Sequence, residues 1–129
     1  MIAGSTSSNL YSEWLGLIEA KCTQEAFIYM VGQAACLKDY VCFPKPHGVV
    51  NAFRFMSVAN DKEGPFAFIP NNHWLLFYFR LPAVRSRQYS LANLRQVFES
   101  ANENGTGEWT VKLHNVADVQ LLLEYLDVH

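Results

Sequence analysis

Two apolar runs, Phe66-Ala67-Phe68-Ile69 and Trp74 through Leu81, flank the group Pro70-Asn71-Asn72. Proline and asparagine reverse a chain readily, so the pattern predicts a β-hairpin. Side chains alternate along a strand. The second arm therefore puts Leu75, Phe77, Phe79 and Leu81 on one face and Trp74, Leu76, Tyr78 and Arg80 on the other. Both faces are apolar as far as Arg80. One must pack on helices, and the other is either covered too or an exposed aromatic platform.

Helical spacing of Leu10, Trp14, Leu17 and Ile18 predicts a first helix over 10–20. Thr23 is placed to cap a second, with Phe27, Met30, Val31 and Ala34 on one face over 24–37, and a bend or a continuous helix through 21–23 both fit. Pro44 and Pro46 are expected to end what precedes them. Alternation over 49–58 predicts a strand, and 60–65 a loop, before the hairpin; Pro82 closes the hairpin's second arm. Ser90 caps a helix bearing Leu91, Leu94, Val97 and Phe98, and 102–107 stops it. Trp109, Val111 and Leu113 alternate with Glu108, Thr110 and Lys112 in a last strand, and Asn115 caps a final helix with Asp118 in its first turn. The order α-α-β-β-β-α-β-α means α+β: a mostly antiparallel four-stranded sheet with helices on one face, as one domain over 1–129 with 1–9 frayed.

Composition narrows the function classes. Half of the 129 residues are hydrophobic and only 17% are charged, which suits a compact core and excludes a disordered chain. A net charge of −2 leaves no global field to attract nucleic acid or an acidic membrane, so any such binding needs a local patch. Cys22, Cys36 and Cys42 lack paired spacing and are expected as free thiols in a reducing cytoplasm. The first nine residues contain no Lys, no Arg and no long apolar run, so neither a secretory signal nor a membrane span is expected.

Candidate chemistry is sparse. The Gly105-Thr106-Gly107 turn does not lead into a helix, as a phosphate loop must, and reads as a plain helix-to-strand turn. Cys36, Cys42 and His47, with His73 or His114, do not have a usual zinc spacing, and nothing around them marks a reactive thiolate; no metal or cofactor is expected. His73, at the head of the hairpin, reads as a base or anion ligand or as a merely solvated loop residue. Carboxylates are not paired on strands, which removes the footing for two-carboxylate hydrolysis. The sharpest pattern is arginine among aromatics: Arg80, Arg85 and Arg87 with Trp74, Tyr78 and Tyr89, supported by Arg54 and Arg95, where guanidinium groups take phosphates and rings stack on bases.

From Tyr89 to Leu126 the chain, with Gly105-Thr106-Gly107-Glu108-Trp109-Thr110-Val111-Lys112-Leu113, Asp118 and Leu121-Leu122-Leu123, resembles a family of uncharacterised small domains found alone or appended to restriction-type endonucleases, some labelled predicted transport protein. The strands at 49–55 and 74–81 agree in order with that family and are similar to small double-wing domains suspected of binding DNA. The first forty residues match neither, and the chain is less basic than a DNA-binding member should be. The resemblance implies an accessory, non-catalytic domain in a nucleic-acid context and brings no catalytic residues with it.

Two readings follow. The first is a non-enzymatic binding domain that meets nucleic acid, or a protein handling it, through Trp74, Tyr78, Arg80, Arg85, Arg87, Tyr89 and His73. The second is a small-ligand or catalytic domain whose sheet aromatics and long helices enclose an apolar pocket anchored by His47, His73 or Tyr78. An apolar outer face would also serve a homodimer.

Overall fold

The computed structural model describes residues 1–2, 8–47, 50–60 and 63–129, with the backbone alone at 8, 9, 46, 47 and 50. Five helices and six strands occur among them: α1 (Ser8–Gly16), α2 (Lys21–Cys36), β1 (Tyr40–His47), β2 (Val50–Ser57), β3 (Phe66–Pro70), β4 (Leu75–Phe79), α3 (Leu81–Arg85), α4 (Leu91–Val97), β5 (Asn102–Glu103), β6 (Trp109–Leu113) and α5 (Val116–Leu126). The strands form one sheet in the order β1-β2-β3-β4-β6-β5, each neighbouring pair antiparallel. The α+β class and the single helix-covered sheet are as the sequence predicts, but the sheet has six strands and not four.

Alternation sets the layers. Phe53, Phe55, Phe66, Phe68, Leu75, Phe77, Phe79, Val111 and Leu113 are each at most 3% exposed and share one face, where Trp14, Ile18, Phe27, Met30, Leu94, Val119 and Leu122 of the helix layer complete the core. Phe53 and Phe68 stack with centroids 5.0 Å apart, and Phe66 meets Phe79 edge-on at 5.6 Å, both favoured ring geometries.

The two missed strands have physical reasons. Within β1, Pro44 and Pro46 do not end the chain's regular structure, because β1 is an edge strand with one row of amides turned away from β2. The Cys42 amide, two residues before Pro44, donates to the Met1 carbonyl on that outer edge at 2.6 Å. Pro44 and Pro46 share its orientation, so their missing N–H groups cost the ladder nothing. Met1 and Ile2 are held along this edge, and the Met1 ammonium donates to Ala34 O at 2.8 Å, so these two are not frayed; residues 3–7, where fraying was also expected, lie outside the described residues. The other missed strand, β5, is two residues long and pairs with β6 across a hairpin loop, so Gly105-Thr106-Gly107 is a strand-to-strand turn and not a helix-to-strand turn. Asn104 Oδ1 accepts from Thr106 N, Thr106 Oγ1 and Glu108 N, and Gly107 takes φ +86, which glycine adopts without strain.

Helix ends follow their caps, with one exception. Ser90 accepts from Asn93 N at 3.2 Å and Asn115 from Asp118 N at 2.8 Å, as expected. Thr23 is inside α2, not before it; it is 1% exposed and its hydroxyl donates to His114 O. A break separates α1 from α2, and the β3–β4 turn docks there: Asn72 O accepts from Glu19 N and Ala20 N at 3.1 and 2.9 Å. Pro82 opens α3, where the amide it lacks would have no helical partner.

Candidate binding surface on the open face of the sheet

The face opposite the helices is open. By register and alternation it presents Phe43 and Lys45 of β1, Ala52, Arg54 and Met56 of β2, Ala67 and Ile69 of β3, Leu76 and Tyr78 of β4, and Thr110 and Lys112 of β6. Arg80 and Glu108 flank β4 and β6 on the same side. All of these except Lys45, Ala67 and Lys112 are half-buried, and Lys45 and Lys112 are exposed. Four cations, Lys45, Arg54, Arg80 and Lys112, thus stand against the single carboxylate Glu108 at these positions, although the whole chain carries −2. The local patch demanded by the composition exists on this face.

At its centre is a shallow depression of about 210 Å³. Ala67 is its floor, 6% exposed, with Arg54 and Tyr78 opposite it on the two neighbouring strands. Ala52 and Ile69 extend the floor, and Arg80 with Glu108 closes one end. Arg80 Nε is 3.5 Å from Glu108 Oε2. Gly64 makes room for this arginine, since a methyl added there would stand 3.3 Å from Arg80 Nη1 and 2.9 Å from Met56 Sδ. Among the described residues Arg54 makes no hydrogen bond or ion pair. Partial burial, then the repulsion of Arg80, lower its pKa from the ordinary value, with Glu108 acting in the opposite direction. Burial, and secondly the Glu108 charge, raise that of Tyr78. Two guanidinium groups sharing one carboxylate leave the depression with an unmatched positive charge.

The structure divides the residues expected to form the site. Trp74, Tyr78 and Arg80 share the open face; the Trp74 ring lies 4.4 Å beneath Lys112 Nζ and 6.3 Å from the His114 ring. Tyr89 is on the other side, packed on Phe66, Phe79 and Tyr125, with its hydroxyl donating to Leu126 O at 3.0 Å. Burial pushes this phenol up to about 12. Tyr89 therefore packs against the core, apart from Trp74, Tyr78 and Arg80. Arg85 ends α3 and Arg87 follows on the connection into α4, both exposed, beside Ala83 and Val84, which pack on the core; among the described residues no hydrogen bond or ion pair joins either side chain to Tyr78 or Arg80. His73 remains at the hairpin tip, where Nε2 is 3.6 Å from Glu19 Oε2 with both side chains exposed, tying the turn to the α1–α2 break.

Alternation placed Lys112 on the wet face of its strand and Arg54 among the candidate cations. Neither pointed to a shared patch, because that requires the strand order. Phe43 and Lys45 escaped notice because β1 was not read as a strand.

The other chemistry does not assemble. The sheet's helix-side rings pack on one another where an enclosed apolar pocket was expected, and a hollow of about 210 Å³ between α1 and α2 is lined by Tyr11, Leu15, Phe27 and Val31. The His47 side chain, one of the expected pocket's anchors, lies outside the described residues. Cys42 is buried and its thiol is pushed up to about 12, while Cys22 and Cys36 are exposed. Among the described residues no three of His, Cys, Asp and Glu converge as a metal-ligand set, and no helix is long and apolar enough to cross a membrane.

No protein-family model, no curated protein and no solved structure matches the chain.

Proposed function

We propose that this is a non-enzymatic binding domain that takes single-stranded nucleic acid on the open face of its sheet. The observation that carries the reading is the sharing of one sheet face by Lys45, Arg54, Arg80 and Lys112 with the half-buried rings of Phe43, Trp74 and Tyr78, in a chain otherwise slightly acidic. Cations that follow a backbone, interleaved with rings that accept bases, are the requirements for sequence-tolerant single-strand binding. From β1 to β6 the face spans four inter-strand spacings, about 19 Å, room for two or three stacked bases. The accessory, nucleic-acid setting implied by the resemblance of residues 89–126 points the same way. The open depression of about 210 Å³ falls below the usual size of a small-molecule pocket, about 300–1,000 Å³, which favours this reading over an enclosed ligand site at that place on the sheet.

Fluorescence anisotropy with a labelled ten-nucleotide single strand tests it. Affinity should fall steeply between about 50 and 200 mM salt, with a log–log slope of about −2 to −3 for three or four phosphate contacts. Lys45→Glu with Arg54→Glu should lower affinity at least tenfold, whereas Arg85→Ala with Arg87→Ala should leave it unchanged. Salt-independent binding, no binding, or a loss confined to the Arg85 and Arg87 variant would overturn the proposal.

A further inference from the structure

Resting on the preceding reading, the geometry points to more than a charged platform: we infer that the depression over Ala67 is a slot for one unstacked base, held between the Arg54 guanidinium and the Tyr78 ring. The register puts Arg54, Ala67 and Tyr78 side by side on β2, β3 and β4. Their backbones are thus two strand spacings apart, about 9.6 Å across the gap. A flat ring inserted edge-on needs two van der Waals separations, about 7 Å. A residue larger than alanine at position 67 would occupy that space, and alanine leaves it open.

The walls suit the guest. Arg54 makes no hydrogen bond, ion pair or ring contact among the described residues, so its guanidinium is free to lie flat on a π-face, where an arginine stacks better than a lysine. Tyr78 offers the opposite ring, directly across Ala67 from Arg54. At the closed end, Glu108 and Arg80 set an acceptor beside donors, 3.5 Å apart, in the way needed to meet the polar edge of a base. Lys45 and Lys112 flank the slot on outer strands and suit the neighbouring phosphates. An aliphatic or purely anionic ligand would use the cations but leave the slot between the two flat groups unfilled.

The experiment compares a ten-nucleotide single strand with an abasic strand of the same length, against the wild type, Ala67→Leu and Tyr78→Leu. The wild type should prefer the base-bearing strand at least about fivefold, the lower end of the stacking energy of one base, about 1–3 kcal/mol. Ala67→Leu should cut that preference several-fold, the share of one base, and cut it more than it cuts abasic binding, and Tyr78→Leu should reduce it too. Circular dichroism and melting show whether each variant is folded; should Ala67→Leu fail to fold, the Tyr78→Leu comparison decides. Equal affinity of the wild type for both strands, with a steep salt slope, would overturn the slot yet leave the binding domain standing. No salt-dependent binding of either strand would overturn both.

Discussion

The two faces of one sheet obey opposite rules although the same strands build them. On the helix side of β4, Leu75, Phe77 and Phe79 are 0%, 1% and 0% exposed, while Leu76 and Tyr78 between them stay half-buried. Across the neighbouring strands the covered face stacks large rings upon rings, and the open face sets alanines at 52 and 67 between long polar side chains. A sheet that only had to be stable would not need arginines over an alanine floor. The covered face is built to exclude water, and the open one keeps a shape for something else to fill.

The largest effect that separates the faces should come from Phe77→Ala. Phe77 is enclosed by Phe55, Phe66 and Phe79 at centroid distances of 6.1, 5.8 and 5.7 Å, so truncation removes buried area and leaves a cavity. Urea unfolding should show a loss of about 3–5 kcal/mol. The matched change on the open face, Ile69→Ala, should cost less than about 1 kcal/mol, because water already reaches that side chain. Equal losses at the two positions would mean that a partner or a second copy covers the open face; light scattering would then report a dimer.

The next effect concerns a residue that belongs to the covered side despite its polar tip. Tyr89→Phe removes the hydrogen bond to Leu126 O and should cost about 1 kcal/mol at neutral pH. The phenol has a folded pKa of about 12, raised first by burial, against 10.0 when unperturbed. Its protonated form is the neutral one. Between pH 10 and 12 the folded chain therefore retains a proton that the unfolded chain has released, so the stability this group contributes is complete below pH 10 and lost as pH rises through 12. Cys42, raised from 9.0 to about 12, should begin the same alkaline decline one unit earlier. Thermal melts of the wild type should fall over this window, and the gap between it and Tyr89→Phe should narrow. A gap that stays constant up to pH 12 would mean that Tyr89 is not desolvated.

Tyr89 also shows what could be read from the chain and what could not. Alternation revealed β2, the hairpin and β6, and capping residues marked the starts of α4 and α5, because period and cap chemistry are local. Whether a ring after a loop turns toward the core or toward solvent is decided by where α3 carries the chain, a tertiary fact without a local signature. The patch behaves in the same way. Lys45, Arg54, Arg80 and Lys112 are up to 67 positions apart in sequence and become neighbours only through the strand order. Trp74, Tyr78 and Arg80 were legible as a group because one strand and its flanks carry all three. Arg85 and Arg87 joined them on paper through proximity in sequence alone. Prolines hid β1, since a proline that ends a central strand is harmless where its nitrogen faces the sheet's outer edge.

The smallest change in stability should accompany a gain in binding, at Glu108. This carboxylate, whose side chain is 18% exposed, is the single negative group among the outward-facing positions and sits 3.5 Å from Arg80. A partly exposed ion pair contributes about 0–1 kcal/mol, so Glu108→Gln should shift the melting temperature by no more than a few degrees. The isosteric amide keeps a hydrogen-bond acceptor toward Arg80 but removes the charge that competes with an incoming phosphate. Affinity for the abasic strand should rise severalfold at low salt, and the excess should vanish as salt screens it. The substitution thus improves the open face while barely touching the covered one. Should Glu108→Gln instead weaken abasic binding with the fold intact, the carboxylate would be holding Arg80 in its binding pose, and the pair would act as a unit in place of two opposed charges.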